Sequence, residues 1–505
     1  METEAARQRG DRTGDQSDVM IAFRDDVQVE FADDAVRLAG PASSVVLRPV
    51  RGGMLAALRR LAAGPASLLD VLGGLLPAER VQFHRVLDRT GHLIVRSLVF
   101  GQRELVQVVH TARDAEYRPV PVPLDTPVRL SRFAFCRSRD DGLVLESPLA
   151  TVRVLLVSRA ARELVAALGT ARTPTELATD LTVATTAELL GHLVGAGFAE
   201  VADQAGRFAS DEDPTLRQWD FHDLLFHARI RSGRYDDSFG AVYPYVGQIP
   251  PKPAIKPVPD GPSIPLYRPE LTQILAGDPA LTSAIEMRRS IRDYGDAPMT
   301  VRQLGEFLYR VARVRAHFQP GPGEGDEVVS RPYPSGGSAY ELELYLTVRR
   351  CEGLAEGIYY YDPVGHRLVL VNEEAADRDA MLAVASVSTG LRTRPDVLIT
   401  LTSRFQRLSW KYRAIAYATT LRHTGVVYQT MYLVATAMGL APCGLGNGSA
   451  DLSVRALRLD YLTESSVGDF LLGSRPPQDP VDGPPPPGWR TVNGADWIVP
   501  ASGTS

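Results

Sequence analysis

The stretch RPYPSGGSAYELELYLTVRR, residues 331–350, places a loop rich in proline and glycine directly before a strand. Downstream, GIYYYDPVGHRLVLV (357–371) predicts a β-hairpin that turns at Asp362–Gly365, and RPDVLITLTSRF (394–405) predicts a buried strand. Upstream, residues 283–314 predict two helices joined by a turn, with Thr300 as the N-cap of the second, and residues 409–439 predict one long helix. Together these segments predict an α+β domain that starts near residue 268.

Length and composition exclude several classes of protein. At 505 residues, the chain should hold two to four domains of roughly 150 residues each. A net charge of −5 argues against a nucleic-acid-binding surface, and no apolar run reaches the ~18 residues of a membrane span. Three distant cysteines make a disulfide framework or a cysteine zinc site improbable, so we expect a cytoplasmic protein without a metal. The polar first 18 residues, which are not a signal peptide, should be a disordered tail.

The N-terminal half contains two stretches that look like copies of one plan. DVQVEFADDAVRLAG (26–40) and GLVLESPLATVRVLL (142–156) both alternate apolar and polar residues, and an offset of 116 places Val36–Arg37 on Val152–Arg153. Each predicted hairpin precedes a helix-rich segment, which is the plan of a winged helix. We therefore predict two winged-helix-like modules, at residues 19–112 and 113–205. Two unrelated α+β pieces are the alternative.

The helices of the second predicted module carry the clearest local signals. Thr173 and Thr185 stand where N-caps would, and each has a glutamate three residues later, at Glu176 and Glu188. The expected recognition helix, TTAELLGHLVGAGF (185–198), has no lysine or arginine with which to neutralise DNA phosphates. A sheet edge in such a module can instead take up an extended peptide, so peptide binding is the better prediction.

Residues 206–267 connect the two halves. A predicted helix comes first, and PYVGQIPPKPAIKPVPDGPSIPLYRP (244–269) follows, too rich in proline for a helix or a central strand. We interpret this region as an extended linker strap. The C-terminal α+β domain then covers residues 268–500.

Several motifs of the C-terminal half together favour an anionic ligand. The first predicted helix ends in the basic cluster RRSIR (288–292), and LLGSRPP (471–477) places another arginine near the end of the domain. Arginine forks suit phosphate, while serine hydroxyls and glycine-rich backbone complete its shell. The chain lacks both GxGxxG and GxxxxGK[ST], so neither a Rossmann site nor a P-loop is indicated.

These motifs resemble the nitroreductase-like flavoproteins. EMRRSIRDYGDAPMT, PYPSGGSAYELELYLTV, GIYYYDP, GLAPCGLG and LLGSRP stand in the order found in that superfamily. WDFHDLLFHARIRSGR and SRFQRLSWKYRAIAY resemble, more narrowly, the SagB-type azoline dehydrogenases of thiazole/oxazole-modified peptide pathways. The resemblance covers roughly residues 216–476, and upstream it is architectural only.

The resemblance implies an α+β homodimer with helices around a central, mostly antiparallel sheet and FMN at the subunit interface. By similarity, the phosphate and ribityl chain of FMN would contact Arg288, Ser290 and Arg292, and Arg475 would close on the phosphate. The loop residues Pro334, Ser335 and Gly336 would come from the neighbouring subunit. The backbone of Gly444, Leu445 and Gly446 would lie along the isoalloxazine ring. Ser338–Ala339–Tyr340 departs from many relatives, which carry an aromatic or basic residue after this loop.

The segment RLSWKYRAIAY (407–417) contains the predicted catalytic residues, Lys411 and Tyr412. Of the chain's three lysines, only Lys411 lies outside the proline-rich run. A lysine can lose its proton in a suitable site, whereas an arginine cannot, so arginine could not replace it in that role. Neighbours on a helix point about 100° apart, so only one of the pair should face the flavin if this segment is helical. We favour Tyr412 as proton acceptor with Lys411 in support, although the roles could be reversed.

The predicted function is an FMN-dependent dehydrogenase that oxidises azolines of a ribosomal peptide to azoles by Cα proton abstraction and hydride transfer to flavin N5. Expected partners are a second copy of the chain, the precursor peptide, a heterocyclase (cyclodehydratase) and molecular oxygen. One alternative is an FMN-dependent reductase of dehydroamino acids or small electrophiles. The other is a flavin-bearing scaffold for the heterocyclase complex.

Overall fold

The computed structural model describes residues 17–40, 44–113, 115, 117–140, 142–321, 326–390 and 394–477. Residues 1–16 of the predicted tail, and the residues after 477, lie outside the described residues. The chain divides into two compact units, unit 1 (Met1–Ser238) and unit 2 (Phe239–Ser505). This division falls inside the predicted linker at 206–267. Within the described residues, no helix is long and apolar enough to cross a membrane.

Unit 1 is built from short strands and helices that alternate in small groups. Its strands are β1 Ser17–Phe23, β2 Gln28–Ala32, β3 Ala35–Ala39, β4 Ser44–Leu47, β5 Ala66–Ser67, β6 Ile94–Phe100, β7 Arg103–His110, β8 Val128–Leu130, β9 Phe135–Arg139, β10 Gly142–Glu146, β11 Val152–Leu156 and β12 Ala199–Val201. Its helices are α1 Gly52–Ala63, α2 Leu68–Gly73, α3 Pro77–Thr90, α4 Arg159–Ala167, α5 Pro174–Leu177, α6 Val183–Gly195, α7 Ala209–Glu212 and α8 Phe221–Arg229.

Both predicted hairpins of unit 1 are confirmed, as β2–β3 and β10–β11. Three strands followed by three helices occur twice, first β2–β4 with α1–α3 and then β9–β11 with α4–α6. The strand directly before the helices is β4 in the first group and β11 in the second. The predicted offset of 116 aligned β3 with β11, so it is displaced by one strand from this correspondence. Strands from both predicted modules also join in one seven-stranded sheet, in the order β5-β1-β6-β7-β11-β10-β9. The division into separate modules therefore stays a prediction.

Capping decides where two helices of the second group begin. Thr173 caps α5 as predicted, because its hydroxyl accepts from the Glu176 amide and the Glu176 carboxylate accepts from the Thr173 amide. The cap predicted at Thr185 is wrong. Thr182 caps α6 instead, and its hydroxyl accepts from the Thr185 amide at 3.2 Å. Both threonines can accept from an amide three residues on, and the earlier one lies where the extended chain enters the helix.

Unit 2 is organised around an antiparallel sheet with the strand order β14-β19-β18-β17-β20-β23-β22. Its strands are β13 Gly240–Ala241, β14 Ser263–Pro265, β15 Ala316–Phe318, β16 Val328–Ser330, β17 Leu342–Val348, β18 Gly357–Asp362, β19 Arg367–Asn372, β20 Val397–Arg404, β21 Tyr412–Arg413, β22 Leu440–Leu445 and β23 Glu464–Ser474. Its helices are α9 Leu271–Gly277, α10 Leu281–Met287, α11 Val301–Ala312, α12 Ala375–Ser388, α13 Gln406–Ser409, α14 Ala416–Ala437 and α15 Ala450–Ala456.

The main core of unit 2 lies between this sheet and the helices α11 and α14. Phe307 and Leu308 of α11 and Val427 and Met431 of α14 belong to the same buried cluster as Leu344 of β17. The strand predicted at 394–405 is β20, and all of its residues are buried, as expected for a central strand. The predicted hairpin turn at Asp362–Gly365 joins β18 to β19, and Thr300 caps α11 as predicted.

The proline-rich strap is part of unit 2's core rather than a free spacer. Arg404 donates to the Pro253 carbonyl at 2.7 Å, and Arg407 donates to the Lys252 carbonyl at 2.7 Å. Lys256 pairs with Glu464 at 2.5 Å. A proline-rich segment has few amides to donate, so buried arginines that bind its carbonyls are the natural way to hold it.

The long helix predicted over 409–439 is wrong at its start. Helix α13 ends at Ser409, two residues form the short strand β21, and α14 begins only at Ala416. Ala414 between them has φ +64°, a left-handed conformation that no α-helix contains. Pairing between β21 and β13 of the strap holds this break open. Lys411 and Tyr412 therefore do not lie on a helix, and the expected 100° separation of their side chains does not apply.

Candidate functional site

Residues 334–340 form a tight turn, here called the PSGG loop, on which the predicted catalytic residues converge. Gly337 has φ +61°, and a Cβ added there would lie 2.6 Å from the Tyr412 hydroxyl and 3.0 Å from Lys411 Nζ. Glycine is required at this position because any other residue would be strained at this positive φ, and because its side chain would displace the Tyr412 hydroxyl and Lys411 Nζ. Ser338 and Tyr340 also have positive φ. Strained backbone of this kind is concentrated at functional sites.

Lys411 is buried, with 9% of its surface exposed. Its ammonium donates to the Gly337 carbonyl at 3.4 Å and lies 4.0 Å from the Asp326 carboxylate. On another side it lies 5.3 Å from the ring centre of Tyr243 in the strap. Lys411 Nζ and the half-buried phenol of Tyr412 thus lie against the same glycine, Gly337. Lys411 is therefore not the exposed helix charge that a structural role would suggest.

The strap forms one wall around these two side chains. Tyr412 pairs with Ala241 in the β21–β13 ribbon, and the Tyr243 amide donates to the Lys411 carbonyl at 3.1 Å. Trp410 donates its indole N–H to the Ile249 carbonyl at 2.7 Å. The strap, which the sequence predicts to be a linker, therefore fixes the backbone of both predicted catalytic residues.

A histidine that the sequence reasoning missed holds the PSGG loop. His423 Nε2 accepts from the Gly336 amide at 2.7 Å, and Nδ1 lies 2.8 Å from a carboxylate oxygen of the fully buried Glu341. Because the amide can only donate, Nε2 must be unprotonated and Nδ1 must carry the hydrogen. Glu341 thereby selects the tautomer that makes His423 an acceptor. No short motif could have revealed this, since 82 residues separate the pair.

The predicted phosphate ligands gather around Tyr432 of α14. The Tyr432 hydroxyl shares a hydrogen bond of 2.7 Å with Ser290 and accepts from the Gly444 amide, also at 2.7 Å. Arg288 lies 5.1 Å from the centre of the Tyr432 ring. The Ile291 amide donates to the Pro442 carbonyl, so residues 288–292 follow strand β22. Ser290 and Arg288 are thus neighbours of the Gly444 backbone, from which they are far apart in sequence.

Arg292 and Arg475 both lie near the paired strands β22 and β23. Burial raises the pKa of the Cys443 thiol, and Arg292 partly opposes this effect, which places its charge near the end of β22. Arg475 directly follows β23, where the Gly295 amide donates to the Ser474 carbonyl at 3.1 Å. Within the described residues, neither Arg288 nor Arg292 pairs with a carboxylate. Cations without anionic partners are what a bound phosphate requires.

The Gly444–Gly446 backbone offers room for a planar ring. Gly446 is exposed, and a Cβ there would meet nothing within 4 Å. A Cβ at Gly444 would lie 3.2 Å from the Tyr428 ring. Beneath this loop, the buried carboxyl of Asp469 accepts from the Thr400 hydroxyl at 2.6 Å, and burial raises its pKa to about 6. The arginines, the Ser290 hydroxyl and the open glycine backbone together fit a phosphate-bearing flavin such as FMN.

The two sets of predicted site residues are held by opposite faces of helix α14. His423, which holds the PSGG loop, and Tyr432, which holds Ser290 and Gly444, are nine residues apart in a regular helix. At 100° and 1.5 Å per residue, their side chains point about 180° apart and are separated by roughly 14 Å along the axis. One chain therefore brings together Ser335, Gly336, Lys411 and Tyr412, and separately Arg288, Ser290, Arg292, Gly444–Gly446 and Arg475.

Comparison with known proteins agrees with this fold and these motifs. Residues 285–467 match the model of the Nitroreductase family, and residues 128–236 match the model of the cyanobactin oxidase ThcOx. A protein of Methanocaldococcus jannaschii that carries a nitroreductase name is 28% identical over 166 residues, which are 33% of this chain and 78% of that protein. Unit 2 is a nitroreductase-like α+β domain.

Two proteins named for the processing of microcin B17 and trifolitoxin match over a shorter length. The microcin B17-processing protein McbC of Escherichia coli is 33% identical over 134 residues, and the trifolitoxin-processing protein TfxB of Rhizobium leguminosarum is 26% identical over 149. These segments span 25% and 29% of this chain, and 46% and 40% of McbC and TfxB. A crystal structure of a nitroreductase-type protein from Anabaena variabilis covers 49% of this chain, and 45% of its own, with 21% identity and a TM-score of 0.36. The matches to the ThcOx model, McbC and TfxB confirm the resemblance to SagB-type azoline dehydrogenases, and the ThcOx match begins upstream, at residue 128.

Proposed function

We propose that this chain is an FMN-dependent dehydrogenase that oxidises azoline rings of a ribosomally made precursor peptide to azoles. The observation that carries the proposal is the convergence of Lys411 and Tyr412 on Gly337 of the PSGG loop. A reductase that only passes electrons to small electrophiles has no need of a proton acceptor fixed in this way. The matches to the cyanobactin oxidase model, McbC and TfxB support the same assignment.

Arg288, Arg292 and Arg475 would hold the FMN phosphate, with Ser290 donating to it and the Gly444–Gly446 backbone lying along the ring. When bound, FMN supplies a hydride acceptor at N5. The azoline loses two hydrogens, a proton from the α-carbon and a hydride from the neighbouring ring carbon, and a carbon–carbon double bond completes the aromatic ring. Molecular oxygen is the proposed final electron acceptor.

The chain's own residues would manage the proton. The Tyr412 oxygen would accept the proton from the α-carbon, and the Lys411 ammonium would stabilise the negative charge on the phenolate. Lys411 is in turn held by the Gly337 carbonyl and the Asp326 carboxylate. His423 would keep the PSGG loop in place, so that both side chains keep their positions. The strap would exclude water from this side.

A complete site would need two copies of the chain. The PSGG loop, with Lys411 and Tyr412, lies on the opposite side of α14 from the arginines and Ser290. We propose that in a homodimer each subunit supplies the proton acceptor for FMN held by the other. Unit 1 would bind the precursor peptide, and a heterocyclase would be the partner that delivers the azolines.

The test is direct. The purified full-length chain should show flavin absorbance, and under air it should remove two hydrogens from each azoline of a heterocyclised peptide, as measured by mass spectrometry. A preparation that never binds flavin would contradict the cofactor assignment. Activity only in the presence of a reduced nicotinamide, with no loss of hydrogen from azolines, would favour the reductase.

A further inference from the structure

Unit 1 contains a cavity of about 570 Å³ whose described lining carries four arginines and one aspartate. We call it the arginine cavity. It lies where the end of α3, β6 and the end of β7 meet the segment that follows β7. Its defining residues are Arg89, Arg96, His110, Arg113, Tyr117 and Arg118.

Within the described residues, none of the four arginines of this cavity forms an ion pair. The carboxylate of Asp88 also lies on the lining, and its negative charge acts on Arg96. Arg96 is the most enclosed, and burial lowers its pKa. It donates to the Tyr117 carbonyl at 3.4 Å and lies 5.7 Å from the Tyr117 ring centre. Arg96 therefore makes one hydrogen bond to a carbonyl and feels the Asp88 charge without pairing with it, which leaves most of its donors available to an anion.

His110 gives a second, independent indication of a ligand. It is only 4% exposed, and neither ring nitrogen has a hydrogen-bond partner in the described structure. Burial first, and then Arg96, lower its pKa to about 4, so at neutral pH the ring offers one N–H donor and one acceptor. A Cβ at Gly91 would lie 2.8 Å from His110 Nδ1, so glycine there lets the ring pack inward. Buried polar groups are rarely left without partners, and an oxygen ligand would satisfy this one.

We infer that the arginine cavity binds a carboxylate of an acidic side chain in the precursor peptide. This inference rests on the proposed function, and it names the chemistry that unit 1 would recognise. The whole chain has a net charge of −5, so four arginines on one lining are a local exception, and they would attract a carboxylate. A planar carboxylate matches the fork of an arginine and accepts from a neutral imidazole N–H.

Fluorescence anisotropy with the full-length chain tests this inference, using labelled hexaglutamate and hexaglutamine as probes. Hexaglutamate should bind and hexaglutamine should not. Arg96→Gln and Arg118→Gln should each weaken binding at least about tenfold, because each removes a charge-assisted bond. His110→Leu should weaken it without changing the net charge. Arg103→Gln, an exposed arginine outside the cavity, is the matched control and should bind like the wild type.

Other outcomes overturn the inference. Equal weakening by Arg103→Gln would mean that general surface charge, and not the cavity, binds the peptide. Displacement by inorganic phosphate at far lower concentration than by glutarate would assign the cavity to a small phosphate-type anion. Thermal melting identifies any variant that fails to fold, and exposed Arg118 keeps the test valid should Arg96 prove structural.

Binding and oxidation are measured separately, so the two proposals can fail independently. A chain that oxidises azolines but ignores hexaglutamate would reject the cavity inference alone. Selective hexaglutamate binding without any azoline oxidation would reject the proposed function, and with it the identity of the peptide. With a heterocyclised substrate, replacement of its acidic residues by amides should raise KM and leave kcat unchanged.

Discussion

The two sides of α14 hold the two parts of the candidate site in different ways. On one side, Lys411 and His423 hydrogen-bond to the PSGG loop, His423 also contacts Glu341, and the Tyr412 hydroxyl lies against Gly337. On the other, Arg288 and Arg292 find no carboxylate partner among the described residues. A set that is satisfied internally is suited to hold a proton acceptor in one position. A set with unpaired cations is suited to capture an anion from outside. Variants on the two sides of α14 test this division of labour.

The largest effect is expected from the hydroxyl of Tyr412. Tyr412→Phe keeps the ring and removes the proton acceptor, so kcat should fall by about 10²–10⁴ while flavin binding is retained. Single-turnover kinetics with a heterocyclised peptide measures this. Tyr461→Phe, at an exposed tyrosine, is the control. If Tyr412→Phe kept full activity, Lys411 would be the base, and Lys411→Arg would then be inactive.

Mixing two inactive variants tests whether the two sets come from different subunits. Lys411→Ala and Arg288→Ala should each be inactive alone, but co-expressed they should recover about a quarter of the wild-type activity, as random pairing in a two-fold dimer allows. Each mixed dimer would contain one intact site. A mixture as inactive as its components would show that each chain completes its own site.

Asp469, beneath the Gly444–Gly446 loop, should make stability depend on pH. Burial raises its pKa to about 6, so the fold favours the protonated carboxyl. Below the pKa of about 4 that the aspartate has in the unfolded chain, this contribution to the free energy of unfolding is fully present. It is lost as the pH rises from about 4 to 6, and it amounts to about 3 kcal/mol in total. Asp469→Asn should therefore match the wild type in urea denaturation at pH 4 and exceed it at pH 8. Identical pH slopes for the two proteins would contradict the buried neutral carboxyl.

His423 should be a positioning residue rather than a catalytic one. His423→Asn loses the acceptor at Nε2, whereas His423→Gln can still accept from the Gly336 amide. We expect His423→Asn to lower kcat/KM about tenfold, the cost of roughly one hydrogen bond, and His423→Gln to restore most of it. Hydrogen exchange at the Gly336 amide should be faster in His423→Asn only. Equal exchange in both variants would remove His423 from this role.

The smallest effect is expected at a helix start away from both sets. Thr300 caps α11, with its hydroxyl accepting from the Gln303 amide at 3.1 Å. Thr300→Ala should lower the free energy of unfolding by about 1 kcal/mol and leave kcat unchanged. Thr300→Ser keeps the hydroxyl and should restore the stability. A change in kcat would mean that α11 supports the site more directly than its position suggests.

Local patterns in the sequence were enough to predict those elements whose residues interact with close neighbours in the chain. The hairpin turn at Asp362–Gly365, the N-caps Thr173 and Thr300 and the buried strand β20 follow from such patterns. The break before α14 does not, because pairing with β13, some 170 residues upstream in the sequence, overrides the helical tendency of residues 410–415. The partnership of His423 with Glu341 likewise joins a helix and a strand that share no motif.

By itself, the sequence determined the class of unit 2 and the identities of the residues proposed for the site, because they stand in motifs of fixed order. Tertiary structure alone decided how they are grouped. Folding places Lys411 and Tyr412 against Gly337 because the strap holds β21 extended, and it places Arg288 and Ser290 on the far side of α14. The arginine cavity of unit 1 also appeared only in the structure, since its arginines form a lining only when separate elements meet. Sequence order specifies which groups are available, whereas packing specifies which groups meet.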